Sequence, residues 1–169
     1  IIMDKYLKDQ IDTEIIQISS SEIIKTKNIN SYIKYYLIKN YEGLCNKNGL
    51  IIKDSINLIN RSIGKIITHN NQSKIEYNVN YSYKILNPCK DDEFECIIDN
   101  ITKMGIIAYL NDENINSIND TPILFIIPNE YIEIDINKLI IKQKINITII
   151  ESRIKFKSNQ IQVVGKLSK

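Results

Sequence analysis

The sequence predicts an α+β domain, with one main helix on an antiparallel sheet, followed by an all-β domain that closes into a small barrel. Three observations predict this. Tyr32, Ile33, Tyr36 and Leu37 fall at helical spacing, and no later segment repeats that spacing as clearly. Ile75, Tyr77, Val79, Tyr81 and Tyr83 alternate with Glu76, Asn78, Asn80 and Ser82, the period of a strand with one buried face. Beyond Pro88, short Ile-rich strands recur between polar turns. The boundary is placed at Pro88, which gives domains 1–87 and 88–169.

The elements follow in order. Ile11 to Ile18 alternates loosely and predicts a strand, broken at Ser19 to Ser21. Asn28 or Asn30 can cap the helix, because an Asn side chain accepts from the free amides of a first turn, and Gly43 ends it. Leu50 to Ile59 and Gly64 to Thr68 predict two strands, and His69 to Ser73 is a polar turn leading into the long alternating strand. After the break at Lys90-Asp91-Asp92, strands are expected around Phe94 to Ile98, Ile106 to Leu110, Pro122 to Ile127, Lys144 to Arg153 and Ile161 to Leu167. Lys103-Met104-Gly105 and Lys157-Ser158-Asn159 are turns, Asn111 to Asp120 is a long polar loop, and Asn129 to Ile132 is a short helical turn. Five strands with a long central loop fit an OB-type barrel, whose closure protects apolar strands from edge pairing.

Composition narrows the function. Hydrophobic residues at 43% and a net charge of +2 argue against disorder. Ile, Asn and Lys dominate, as A/T-rich codons would produce, so Lys abundance alone carries no argument for nucleic acid. Charge distribution says more. Lys103 is the lone basic residue between Asp91 and Asp135, whereas Lys138, Lys142, Lys144, Arg153, Lys155, Lys157, Lys166 and Lys169 then face only Glu151. Such a stretch can meet phosphates. Cys45, Cys89 and Cys96 form no CxxC pair, which favours a reducing compartment over a zinc site. No apolar run reaches the ~20 residues of a membrane span, and Asp4 and Lys5 interrupt the start too early for a secretory leader. No phosphate loop, Rossmann glycine pattern, EF-hand loop or acid–base pair stands out, and His69 lies in a polar turn. No catalytic residue, metal or cofactor is expected.

The order of several segments resembles one family. Glu42-Gly43-Leu44-Cys45 followed by Asn48-Gly49-Leu50-Ile51, then Gly64-Lys65-Ile66, Glu76-Tyr77-Asn78-Val79-Asn80-Tyr81, Asn87-Pro88-Cys89-Lys90, the hairpin Phe94 to Ile106 and the closing Ile161 to Leu167 are similar, in that order, to the stalk subunit of multisubunit DNA-directed RNA polymerase. That is the seventh subunit of eukaryotic RNA polymerase II and its archaeal counterpart. The collinear order over nearly the whole chain carries the resemblance, and no single motif does. The resemblance implies an RNP-like N-terminal tip domain and an S1-like OB domain. It implies a non-catalytic role in transcription, with the large core subunits, a small helical stalk partner and nascent RNA as partners. The departures are Asp91-Asp92 in place of a Gly after Lys90, Ile106 in place of an aromatic, and the long loop from Asn111 to Asp120. With the Ile/Asn/Lys bias, they resemble divergent copies in large cytoplasmic DNA viruses. Such a copy would work in the cytoplasm, in a viral factory or the virion; a cellular member would be nuclear.

Two sets of residues are candidates. Lys103, Tyr109, Arg153, Lys155 and Lys157 are expected to bind RNA. On a strand, Arg153, Lys155 and Lys157 share one face, with Phe156 turned inward and Phe125 in the core. Asn46, Asn48, Gly49, Asn60, Arg61 and Gly64 lie where the resemblance implies docking to the polymerase core. The alternative function is a free-standing S1/OB single-stranded RNA-binding protein.

Overall fold

The computed structural model describes residues 2–167. The chain packs into two compact units. A helix-and-sheet unit comprises Lys8–Gly43 and Ile51–Ile85, and a barrel unit comprises residues 2–7, Leu44–Leu50 and residues 86–167. The return of Leu44–Leu50 to the barrel unit has no counterpart in a division into 1–87 and 88–169.

The elements before Leu86 are β1 (Leu7–Ser19), α1 (Ser20–Lys25), α2 (Ile29–Tyr41), β2 (Cys45–Asn46), β3 (Gly49–Ile51), β4 (Asn57–Arg61), β5 (Lys65–His69) and β6 (Gln72–Leu86). Strand β6 is the hub of the helix-and-sheet unit, pairing with β1, β4 and β5. Asn28 caps α2 by accepting from Ser31 N at 3.2 Å, and Gly43 leaves it at φ 70°. Ile33 and Leu37 are the buried stripe of α2. They pack in one core with Ile16, Ile18, Ile51, Ile56 and the inward residues of β6, from Tyr77 to Ile85. The turn between β5 and β6 holds Asn70 and Asn71 at φ 49° and 59°, the left-handed pair of a two-residue hairpin that Asn tolerates.

Two local expectations change. Ser19 to Ser21 does not simply break the chain, because the Ser19 side chain caps the short helix α1 by accepting from Glu22 N. Leu50 to Ile59 is not one strand. Asp54 takes φ 59° and the Ser55 hydroxyl donates to Ile52 O at 2.6 Å, so a turn separates β3 from β4.

The barrel consists of β7 (Glu93–Thr102), β8 (Gly105–Leu110), β9 (Ile123–Pro128), β10 (Lys144–Arg153) and β11 (Ile161–Lys166). It is closed in the order β10-β11-β9-β8-β7. All pairs are antiparallel except β9 with β11, where Ile123 faces Ile161 and Phe125 faces Val163. This closed five-stranded barrel is compatible with an OB-like barrel. Alternate residues point inward and are buried, among them Phe94, Cys96, Ile98, Ile106, Ala108, Phe125, Ile127, Ile147, Ile149 and Val163. Gly105 has φ 146°, and a Cβ there would lie 2.1 Å from the Ile127 carbonyl oxygen, so the β8 start requires glycine.

Tyr41 and Tyr81 stack at 6.3 Å in the helix-and-sheet unit, and Tyr41 donates to the Glu14 carboxylate. Burial raises both phenol pKa values well above 10, helped by the hydrogen bond to Glu14 at Tyr41 and by the nearby Asp12 and Glu14 charges at Tyr81. A raised folded-state value means their contribution to stability is fully present below the unfolded value of about 10 and is lost as pH rises through the folded value. Urea unfolding should therefore show stability falling above pH 10, and Tyr81→Phe should make that fall shallower. An identical alkaline slope in wild type and variant would contradict the assignment.

Candidate nucleic-acid interface

Four of the seven described basic residues in the C-terminal stretch sit beside a carboxylate. Lys142 lies 3.8 Å from Asp99, Lys144 3.7 Å from Glu95, Arg153 3.7 Å from Glu151, and Lys166 2.6 Å from Glu133. Among the described residues Lys138, Lys155 and Lys157 have no such partner, and Lys169 lies outside them. Each pair is solvent-facing and adds little stability. Its consequence is electrostatic: paired charges project a weaker field than free ones.

Each sequence-derived candidate now has a place. Lys103 is exposed in the β7–β8 turn, and its carbonyl accepts from Asn129 Nδ2 at 2.6 Å. Tyr109 is only 3% exposed. Its hydroxyl accepts from Lys142 Nζ at 3.1 Å, and that ammonium sits 4.9 Å from the ring centre, so the ring presents no open face for stacking. The same hydrogen bond raises the Lys142 pKa. Arg153 ends β10. Lys155 and Lys157 are exposed beyond it, in the β10–β11 connection. They do not share a strand face with Arg153, because β10 stops at Arg153 and the chain turns at Lys157, φ 60°. For the same reason Phe156 is not turned inward; it is 66% exposed, with Lys157 Nζ 5.8 Å from its ring centre. Phe125 is fully buried, as expected. Ile106 is fully buried too, so an aromatic at that position would fill the barrel, and its replacement by Ile removes no stacking surface.

The second half of the β10–β11 connection is fastened at two places. Lys157 N donates to Cys45 O at 2.8 Å, and Cys45 N donates to Ser158 O at 2.7 Å. The Gln160 side chain donates to Ile118 O at 2.8 Å and Thr121 O at 2.9 Å, which ties the connection to the Asn-rich loop. Sequence reasoning did not anticipate this role for Cys45 and Gln160, since both bonds to Cys45 use its backbone and sequence carries no sign of them.

The second candidate set divides between the units. Asn46, Asn48 and Gly49 belong to the barrel unit, where Asn46 Oδ1 accepts from Asn48 N at 2.7 Å and Gly49 N at 3.1 Å. Gly49 has φ 150°, and a Cβ there would lie 2.4 Å from Leu86 O. Asn60, Arg61 and Gly64 belong to the helix-and-sheet unit. Asn60 accepts from Asn80 Nδ2 at 2.8 Å; Arg61 donates to Asn30 Oδ1 at 2.6 Å and covers the Tyr77 ring at 5.1 Å. Gly64 is held by packing, since a Cβ would fall 2.6 Å from Ile75 and 2.9 Å from the Tyr77 ring. Beside them stands Ile63, 92% exposed, which sequence reasoning missed although an Ile between Ser62 and Gly64 in a turn marks it.

His69 is exposed at the β5–β6 hairpin, and among the described residues no group of three His, Cys, Asp or Glu is placed to hold a metal. No helix among them is long and apolar enough to cross a membrane. No protein-family model matches this chain, and no curated protein matches it.

The cysteines differ in a way that can be measured. Burial raises the Cys45 thiol to about 11 and the Cys96 thiol further, whereas Cys89 is exposed. Because the thiolate is the reactive form, a thiol reagent at pH 8 should label one cysteine rapidly in the native protein and all three in denaturant. Cys89→Ser should abolish the rapid phase; a rapid phase that survives it would place a second thiol at the surface.

Proposed function

We propose that this chain is a non-catalytic stalk subunit of a multisubunit DNA-dependent RNA polymerase. Its helix-and-sheet unit, read as an RNP-like tip domain, docks to the large core subunits, and its barrel, read as an S1-like OB domain, contacts nascent RNA. The reading begins from the collinear resemblance in sequence. The observation that carries it further is the backbone at Asp91. There the resemblance expects a glycine, and Asp91 has φ 71°, a left-handed conformation that Gly adopts freely and Asp tolerates. A backbone that keeps the glycine conformation under a different side chain suits a divergent copy of the same fold.

Other features support the division of labour. Ile59, Ile63 and Ile66 are exposed on and between β4 and β5, which suits a surface buried in an assembly. Exposed Ile11, Ile15 and Tyr35 in the same unit suit a helical stalk partner. A chain of this kind needs no catalytic group of its own. A free-standing RNA-binding protein would have no use for the exposed apolar surface of the first unit.

Ile63→Asp tests docking without touching the core, whereas Gly64 is a poor probe because any side chain there strains its own unit. In a pull-down with polymerase core, wild type should be retained and Ile63→Asp should lose about 2 kcal/mol of binding or more, roughly thirty-fold. Equal retention would exclude docking at β4–β5, and a wild type that fails to bind the core would refute the stalk reading.

A further inference from the structure

We propose that residues 154–160, the connection between β10 and β11, form the point where the barrel grips single-stranded RNA, with Phe156 stacking on a base and Lys155 and Lys157 meeting the adjacent phosphates. The proposal rests on the reading that the barrel contacts RNA, and it assigns the contact to a loop rather than to the strands.

Among the described residues of the barrel unit, Phe156 is the one aromatic that is exposed. Phe94, Tyr109 and Phe125 are buried, and Tyr6 and Tyr131 are partly covered. A 66% exposed phenylalanine gains little from folding, so its ring is available to a partner. A base offers a flat π face to match it, and stacking of this kind tolerates any base.

The flanking charges point to the same partner. Arg153, Lys142, Lys144 and Lys166 each have a carboxylate beside them, but Lys155 and Lys157 have none among the described residues. Free positive charge on the chain neighbours on either side of a stacking ring matches a strand whose bases alternate with phosphates. An acidic protein segment could satisfy the lysines but would leave the ring without a flat partner.

The loop is also held for the task. The paired backbone bonds between Cys45 and Lys157–Ser158, and the Gln160 anchor on Ile118 and Thr121, hold the half that follows Phe156 before any ligand arrives. Preorganisation of this sort lowers the ordering cost of binding. Tyr109, closed off beneath Lys142, leaves Phe156 as the stacking position.

The test is fluorescence anisotropy of the purified full chain with a labelled oligouridine. Phe156→Ala should weaken binding about five- to a hundred-fold, and Phe156→Trp should restore it. The pair Lys155→Ala and Lys157→Ala should reduce the slope of log affinity against log salt by about 1.4, two phosphate contacts for a single strand. Lys34→Ala, on α2 of the other unit, should change neither, and unchanged circular dichroism should accompany every variant. Duplex RNA should compete poorly, because its bases are not free to stack. If wild type binds but Phe156→Ala binds equally well, or duplex competes as well as single strand, the loop site is wrong while RNA binding by the barrel stands. If wild type binds no RNA, the RNA reading fails together with the site.

Discussion

The parallel pairing of β9 with β11 is the constraint on which the barrel depends. Its strands are rich in isoleucine, and an open sheet of such strands would expose a long apolar edge. Pairing Ile123 with Ile161 and Phe125 with Val163 closes the ring and leaves no edge in it. In the same ring β10 lies between β11 and β7, and the chain leaving β10 turns back to pair antiparallel with it as β11. That turn is the Lys155-Phe156-Lys157 segment. Closure thus determines where the most exposed aromatic of the unit is displayed.

The same geometry explains why charge counted along the chain misleads. Eight basic residues follow Lys138, itself included, with one acid among them in sequence. In the fold, Asp99, Glu95 and Glu133 come from elsewhere in the unit to meet Lys142, Lys144 and Lys166. Barrel closure brings an acidic strand, β7, beside a basic one, β10. Of the described basic residues in that stretch Lys138, Lys155 and Lys157 stay unpaired, and two of these three flank Phe156.

Much of this was legible in the sequence because it rests on periodicity and turn chemistry. The alternation from Ile75 to Tyr83 gave away β6 and its buried face, Asn28, one of the two Asn caps expected, starts α2, and the strands of the barrel fell close to their expected spans. The missed features depend on contacts distant in sequence. Period-two spacing continues past Arg153 in the sequence, but β10 stops there and the chain turns at Lys157, φ 60°, where the backbone bonds to Cys45 are made, so Phe156 turns outward and Lys155 leaves the strand. Tyr109 looked available because nothing nearby in sequence announces that Lys142 covers it. Ile106 looked like a lost ligand contact because register alone places it in the core. The proposed polymerase role rests on the collinear resemblance, with which the left-handed backbone at Asp91 is consistent.

Affinity purification of the tagged chain from its native source, followed by mass spectrometry, tests that role most directly. We expect the two largest RNA polymerase subunits to co-elute with it in near-equal amounts at moderate salt. Recovery of the chain alone, or with other RNA-binding proteins and without those subunits, would contradict it.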